Sequence, residues 1–375
     1  MTDTVLDLLR LDSHSREEKS VAEYLVRCLQ ELGCEVRVDE AGTAVRANTG
    51  NVVAYLAPSS STAPPLLLSA HMDVVPPGMG VKPVRETDRI RSDGTTILGG
   101  DDKSGLAIIL EVLRSLRDRN VAHGSIEIAF TICEEIGLLG AKNLDYSRLR
   151  SKEAIVLDSS YATQLVTQAP SADRYVFSVH GLEAHAGVCP ENGISAVRVA
   201  AEAIAAMPLG RIDARTTSNV LIAGGPTATN VVPNLCVVRG EARALDDARL
   251  DEVMREIRGA FDDAAQRAKI TLNGDVHRAW IEEQCSREYH SFEIRNDASI
   301  VKLVQHAARA HGTSVETVTI GGGSDANVFN RHGIVSVNLG TGMRDIHTVK
   351  EWIDLEDFYR SAEIVLECIK VRAAA

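Results

Sequence analysis

The 375 residues exceed what one hydrophobic core usually serves, so two domains are expected. An apolar share of 45% and a charged share of 25% belong to a folded globular protein and exclude a disordered chain. The net charge of −12, from 52 acidic and 40 basic residues and without any basic run, argues against nucleic acid as a partner.

Asp3 and Asp7 fall among the first ten residues, where a signal peptide carries positive charge, and no apolar run approaches a membrane span. No membrane partner is expected. The seven cysteines are scattered without metal-type spacing, which suits reduced thiols in a cytoplasmic protein. Cys133, beside two glutamates, is read as a buried structural thiol.

In chain order, Val21, Leu25, Leu29 and Leu32 recur at helical spacing before Gly33. Strands are expected at 34–39, 51–56 and 66–70, the last delivering His71 and Asp73. The turn Gly99-Gly-Asp-Asp-Lys-Ser-Gly105 leads into a helix marked by Leu106, Ile109, Leu110, Leu113 and Leu116. Strand 125–132 stops at Glu134 and Glu135, and strand 154–157 stops at Asp158. Alternating helices and short buried strands predict an α/β domain around a mixed, largely parallel open sheet. Ligands of such sheets gather beyond the carboxyl ends of the strands, where these acids lie.

From about residue 174 the order changes to strand 174–180, helix 192–207, strands 217–224 and 234–243, helix 247–268 and strand 269–281. This β-α-β-β-α-β order predicts an inserted ferredoxin-like α+β domain over 174–285, serving as lid, interface or both. The first domain is then discontinuous, 1–173 and 286–375. It resumes with helix 297–311, the loop Gly321-Gly-Gly-Ser-Asp-Ala-Asn327, strand 334–339 and a last helix.

Imidazoles and carboxylates together suit zinc, with cobalt or manganese as alternatives. With Asp101 shared between two ions, His71 and Asp158 complete one and Glu135 and His347 the other, leaving an open position at each. Glu134 is then a spare carboxylate, placed as general base and later as acid to the leaving amine. Asp73, two residues from His71 on an extended segment, is expected to accept the second imidazole N–H through its carboxylate. Singly, each signal has a plainer reading. A His-x-Asp is often a core pair, paired glutamates are often solvated, and Asp102 suits a helix N-cap or turn support. Five such signals at strand ends favour a metal site.

His71-Met-Asp73, Gly100-Asp-Asp-Lys-Ser-Gly105, Glu134-Glu135-Ile-Gly137, Asp158 and His347 resemble, in order, the motifs of the M20 family of dizinc metallopeptidases. Ser92-Asp-Gly-Thr-Thr-Ile-Leu98 and His180-Gly-Leu-Glu-Ala-His-Ala-Gly187 look most like its peptidase T branch, the tripeptide aminopeptidases. The resemblance spans essentially the whole chain. It implies two zinc ions per subunit, a short peptide as substrate, and a homodimer formed through the inserted domain. It also implies that His185 and Asn230 reach the partner's active site to hold the substrate and its oxyanion. The loop holding Gly322, Gly323 and Ser324 resembles the family's substrate-cleft loop, with backbone N–H groups to cradle a carboxylate; a plain tight turn is the other reading. One departure is the short connection between Asp73 and Ser92, where the tripeptidases carry a longer insertion.

The expected activity is a cytoplasmic, metal-dependent aminopeptidase. An N-acyl amino acid amidohydrolase using the same site, and a metal-binding protein without catalysis, are the alternatives.

Overall fold

The computed structural model describes residues 1–59, 61–226 and 228–374. The chain forms two compact units, Met1–Ala169 with Glu293–Ala375, and Pro170–Phe292.

The first unit is built on a mixed sheet. At its centre lie, in spatial order, Ile126–Thr131, Leu66–His71, Glu153–Ser159 and Val335–Gly340, each parallel to the next. Val52–Leu56 and Glu35–Val38 extend one side in antiparallel fashion. Gln164–Ala169 flanks Val335–Gly340 antiparallel on the other side, and Glu316–Thr319 pairs parallel with it. Leu66–His71 and Ile126–Thr131 are buried at every residue, which is why they read as largely apolar runs rather than alternating ones.

Helix Gly100–Asp118 packs on Leu66–His71 and against helix Leu355–Ala374, which also packs on Ser299–Ala310. Leu106, Ile108, Ile109 and Leu110 are all fully buried, so the early turns of this helix are covered on every side rather than along one stripe. Each such side chain contributes about 1.5–3 kcal/mol by leaving water. Its first turn is not regular. Asp101 and Asp102 have non-helical dihedrals, and the peptide bond between them is cis. A four-stranded sheet, ordered Met343–Arg344, Trp352–Asp354, Arg89–Arg91 and Val84–Arg85, braces that turn and was not read from the sequence.

The second unit has its own core. Ser171–His180, helix Ala196–Ala206, Thr216–Gly224, Leu235–Ala244, helix Asp247–Arg267 and Trp280–Tyr289 follow in βαββαβ order. The four strands pair antiparallel in the spatial order second, third, first, fourth, the ferredoxin-like arrangement, with a short extra strand, Gly210–Asp213, at the edge. Tyr175, Phe177 and Val179 alternate inward, and Phe177 stacks on Phe261 of the second helix at 4.4 Å.

Two details differ from expectation. The bounds at 174 and 285 fall inside Ser171–His180 and Trp280–Tyr289, which pair along their lengths; the unit therefore runs from 170 to 292. The strand expected at 269–281 is a separate hairpin, Lys269–Leu272 with Asp275–Arg278, and the fourth sheet strand follows it. Asn273-Gly274, both at positive φ, form the two-residue turn. That dipeptide is a strong hairpin signal. Among the described residues, no helix is long and apolar enough to cross a membrane.

Candidate metal centre

The four central parallel strands end on one edge of the sheet, and each supplies a residue there. His71 closes Leu66–His71, and Asp158 lies near the end of the neighbouring Glu153–Ser159. Glu134 and Glu135 follow Ile126–Thr131, and His347 follows Val335–Gly340. Asp101 comes from the irregular turn that opens helix Gly100–Asp118. Cys133 and His347 hold left-handed backbone conformations, φ 52° and 62°, unusual for residues with a Cβ and common where side chains are aimed for function.

Asp101 is the hub. One carboxylate oxygen lies 3.0 Å from His71 Nε2, and the other lies 3.2 Å from His347 Nε2. His347 Nε2 is also 3.0 Å from Glu135 Oε1, and His71 Nε2 is 3.9 Å from Asp158 Oδ1. Two ligand sets thus share one carboxylate through its two oxygens. Zinc bonds to nitrogen and oxygen of about 2.0–2.2 Å place tetrahedral ligands roughly 3.3–3.6 Å apart, close to these separations.

Electrostatics favour the same fit. Burial raises the pKa of Glu134, Glu135 and Asp158, and the carboxylates around each add to the rise, against the opposing pull of His71. Burial also opposes charge on Asp101, but hydrogen bonds from His347 and His71 outweigh it and hold Asp101 low. Hydrogen bonds to Asp101 and Glu135 lift His347 to about 10. His71 is lifted well above its usual value by Asp101 and Asp73 despite complete burial. A pocket that crowds carboxylates until they resist ionising is one that divalent cations relieve.

Asp102 also lies within ligand distance of His71 and Asp158. Its two oxygens, however, accept N–H groups from His71 and Gly105, at 3.1 Å each, tying the strand end to the helix start. Asp101 faces the cleft and Asp102 supports the turn. Asp73 does more than the sequence suggests. The second imidazole nitrogen of His71 meets the backbone carbonyl of Asp73 at 2.9 Å, with the nearer carboxylate oxygen at 3.5 Å. The carboxylate accepts Glu134 N–H at 2.9 Å, Glu135 N–H at 3.2 Å and the Ser15 hydroxyl at 2.6 Å. It organises the paired glutamates as well as standing beside the imidazole, because backbone donors left by the turn after residue 131 share it.

A cleft of about 270 Å³ opens over these groups, lined by Asp101, Glu134, Glu135, Asp158 and His347 and also by Gly322, Gly323 and Ser324. The glycine loop therefore borders the cluster. The sequence profile of peptidase family M20/M25/M40 matches residues 67–371, a span that contains every one of the candidate ligands. The chain belongs to this family.

Among solved structures, aminopeptidase PepT of Bacillus cereus is 36% identical, covers 100% of this chain and 98% of its own, and superposes with a TM-score of 0.90. A tripeptidase of Staphylococcus aureus is 34% identical with the same coverage and a TM-score of 0.94. The Bacillus subtilis protein YqjE is 37% identical over 98% of this chain and 97% of its own. This M20-family hydrolase thus shares its full length with each of them.

In the second unit, His185 and Asn230 lie on adjacent segments. His185 forms an antiparallel bridge with Val231, and Ala186 N–H donates to the Asn230 carbonyl at 2.9 Å. Both residues are exposed, and His185 Nδ1 accepts Gly187 N–H at 3.2 Å.

Three buried acids near the cleft were not singled out from sequence. Glu18 accepts Cys133 N–H at 2.9 Å and Arg16 N–H at 3.0 Å, holding the residue that precedes the paired glutamates. Asp325 accepts the Thr131 hydroxyl at 2.5 Å, and burial lifts it to about 6. It links the glycine loop to the strand that leads to Glu134. Glu351 accepts Asp101 N–H at 2.9 Å, and burial raises it to about 7. Cys133 is fully buried, its thiol pushed up by burial and by Glu18, as a structural thiol should be.

Proposed function

We propose that the protein is an aminopeptidase releasing N-terminal residues from tripeptides and other short peptides. The observation that carries this reading is one carboxylate shared between two ligand sets, with Glu134 left over beside them in the same cleft. Full-length similarity to structures described as an aminopeptidase and a tripeptidase supports the substrate class.

His71 and Asp158 would hold one ion, Glu135 and His347 the other, and Asp101 both. Two divalent ions, zinc by this donor set with cobalt or manganese as alternatives, would supply Lewis acidity to the scissile carbonyl and acidify the attacking water. Glu134 takes the proton from that water and returns it to the departing amine; its raised pKa suits a group that must release what it accepts. Gly322, Gly323 and Ser324 bound the cleft where the peptide's carboxylate would rest. His185 and Asn230, contributed by a partner copy in a homodimer, would steady the substrate and its oxyanion. The proposed compartment is the cytoplasm, in keeping with seven unpaired cysteines.

Mass-spectrometric assay of zinc-loaded protein tests this reading. The panel holds di-, tri- and tetrapeptides, their N-acetylated forms and N-acyl amino acids, each with and without chelator. Chelator-sensitive loss of N-terminal residues from free peptides is expected. Cleavage confined to acylated compounds would make the protein an N-acyl amino acid amidohydrolase, and no cleavage of any member would contradict catalysis on this substrate class.

A further inference from the structure

Glu351 reaches both ligand sets through a single neighbour. It is 1% exposed, and its carboxylate accepts three backbone N–H groups. Oε2 takes those of Leu98 and Gly99 at 2.8 Å each, and Oε1 takes that of Asp101. These donors belong to the short stretch that ends at the shared ligand. Gly100, inside it, lies so close that a Cβ would sit 3.1 Å from Oε1 and 2.9 Å from Ile353 Cγ1. A side chain there would force Ile353 or the Glu351 carboxylate to move, so glycine lets the stretch lie this close.

Glu351 is itself held from behind. Trp352–Asp354, directly after it, is the inner strand between Arg89–Arg91 and Met343–Arg344. One short segment therefore carries His347, a ligand in one set, and four residues later the acid that grips the ligand common to both.

We propose that Glu351 is the positioning residue for Asp101, holding its carboxylate so that one oxygen serves each metal position and thereby setting the affinity for both ions together. The proposal rests on the two-metal reading of the cleft. A carboxylate is required because every group pointing at it is a donor. An amide would turn its own N–H₂ toward at least one of them and leave a buried donor unmatched. A residue supporting only one ligand set would affect one ion; Glu351 affects two.

Zinc titration of the metal-free full-length protein by calorimetry tests this, with the visible spectrum of the cobalt-loaded protein as a second readout. Wild type is expected to take up two ions. Glu351→Gln should weaken both by about 10- to 100-fold and shift the cobalt bands. Glu351→Asp, which keeps the charge and shortens the reach, should recover part of both effects. His347→Ala should weaken one ion alone. Wild-type affinities and an unchanged cobalt spectrum in Glu351→Gln would overturn the proposal while leaving the two-metal reading in place, as would a loss confined to one ion. A wild-type protein that takes up fewer than two ions would remove the two-metal reading itself. If Glu351→Gln does not fold, Glu351→Asp against wild type decides by the same criteria: both ions weakened supports the proposal, neither or only one overturns it.

Discussion

The cleft of the first unit and the His185–Asn230 patch of the second are held in place by different means. In the cleft, Asp101, Glu134, Glu135 and Asp158 are buried or nearly so; the backbones of the first three are tied by carboxylates from distant parts of the chain, and that of Asp158 by the side-chain amide of Asn338. In the patch, His185 and Asn230 are exposed, and the bonds their segments make among the described residues are to each other and to near neighbours. Groups that are buried and over-determined act where they stand. Exposed groups on a rigid ladder act only when something else meets them. Damage to the cleft should therefore disturb metal content and chemistry together, whereas damage to the patch should reduce chemistry and spare both metals and fold.

The largest effect is expected from Asp101→Asn, which removes charge from the carboxylate that meets both His71 and His347. Turnover should be lost, and metal analysis of the purified variant should find fewer than two ions per chain. A variant that keeps two ions and wild-type turnover would break the contrast at its root.

His185→Ala should lower kcat by about 10²- to 10³-fold if the imidazole stabilises an oxyanion, with metal content and melting temperature unchanged. Mixing this variant with a cleft variant such as Asp101→Asn sharpens the test. Recovered activity in the mixture means that one chain's patch serves another chain's cleft, and absence of recovery means that it does not.

A smaller effect is expected from Asp73→Asn. An amide in place of the carboxylate meets two backbone N–H groups and a hydroxyl with only one good acceptor. The paired glutamates should lose their aim, lowering kcat by about 10- to 100-fold with KM little changed. Because the imidazole of His71 is oriented by the backbone carbonyl, its metal position should remain filled. Loss of the ion held by His71 would show instead that the carboxylate supports that ring.

His71, Glu134, Glu135 and Asp158 were legible as candidate ligands because each lies at or just after the end of a buried parallel strand, a local pattern, whereas Asp101 and His347 stand in turns. The βαββαβ order of the second unit was legible for the same reason, through periodicity along each element. The supporting acids were not. Glu351 and Glu18 accept backbone N–H groups 250 and 115 residues away, and Asp325 meets a hydroxyl 194 residues away. A carboxylate that binds backbone has no partner side chain to reveal it. Glu18, at the start of a charged helix, reads as solvated surface, and Glu351 reads as one charge in a mixed loop. Asp73 was legible as a neighbour of the His71 ring, but its hold on the paired glutamates was not, because the donors that share its carboxylate follow another strand. The 269–281 stretch is a different case: the Asn273-Gly274 turn was a local signal, and the hairpin could have been read from it.

The central claim is that Glu134 carries protons beside two bound ions and binds neither of them. Glu134→Gln separates those roles, since it removes the base and nearly preserves the volume. Its metal content and its turnover of a tripeptide, measured on the same preparation, give the most direct test. Two ions per chain with turnover reduced by about 10²- to 10⁴-fold is the predicted result. Turnover near that of wild type, or loss of an ion along with the carboxylate, would contradict it.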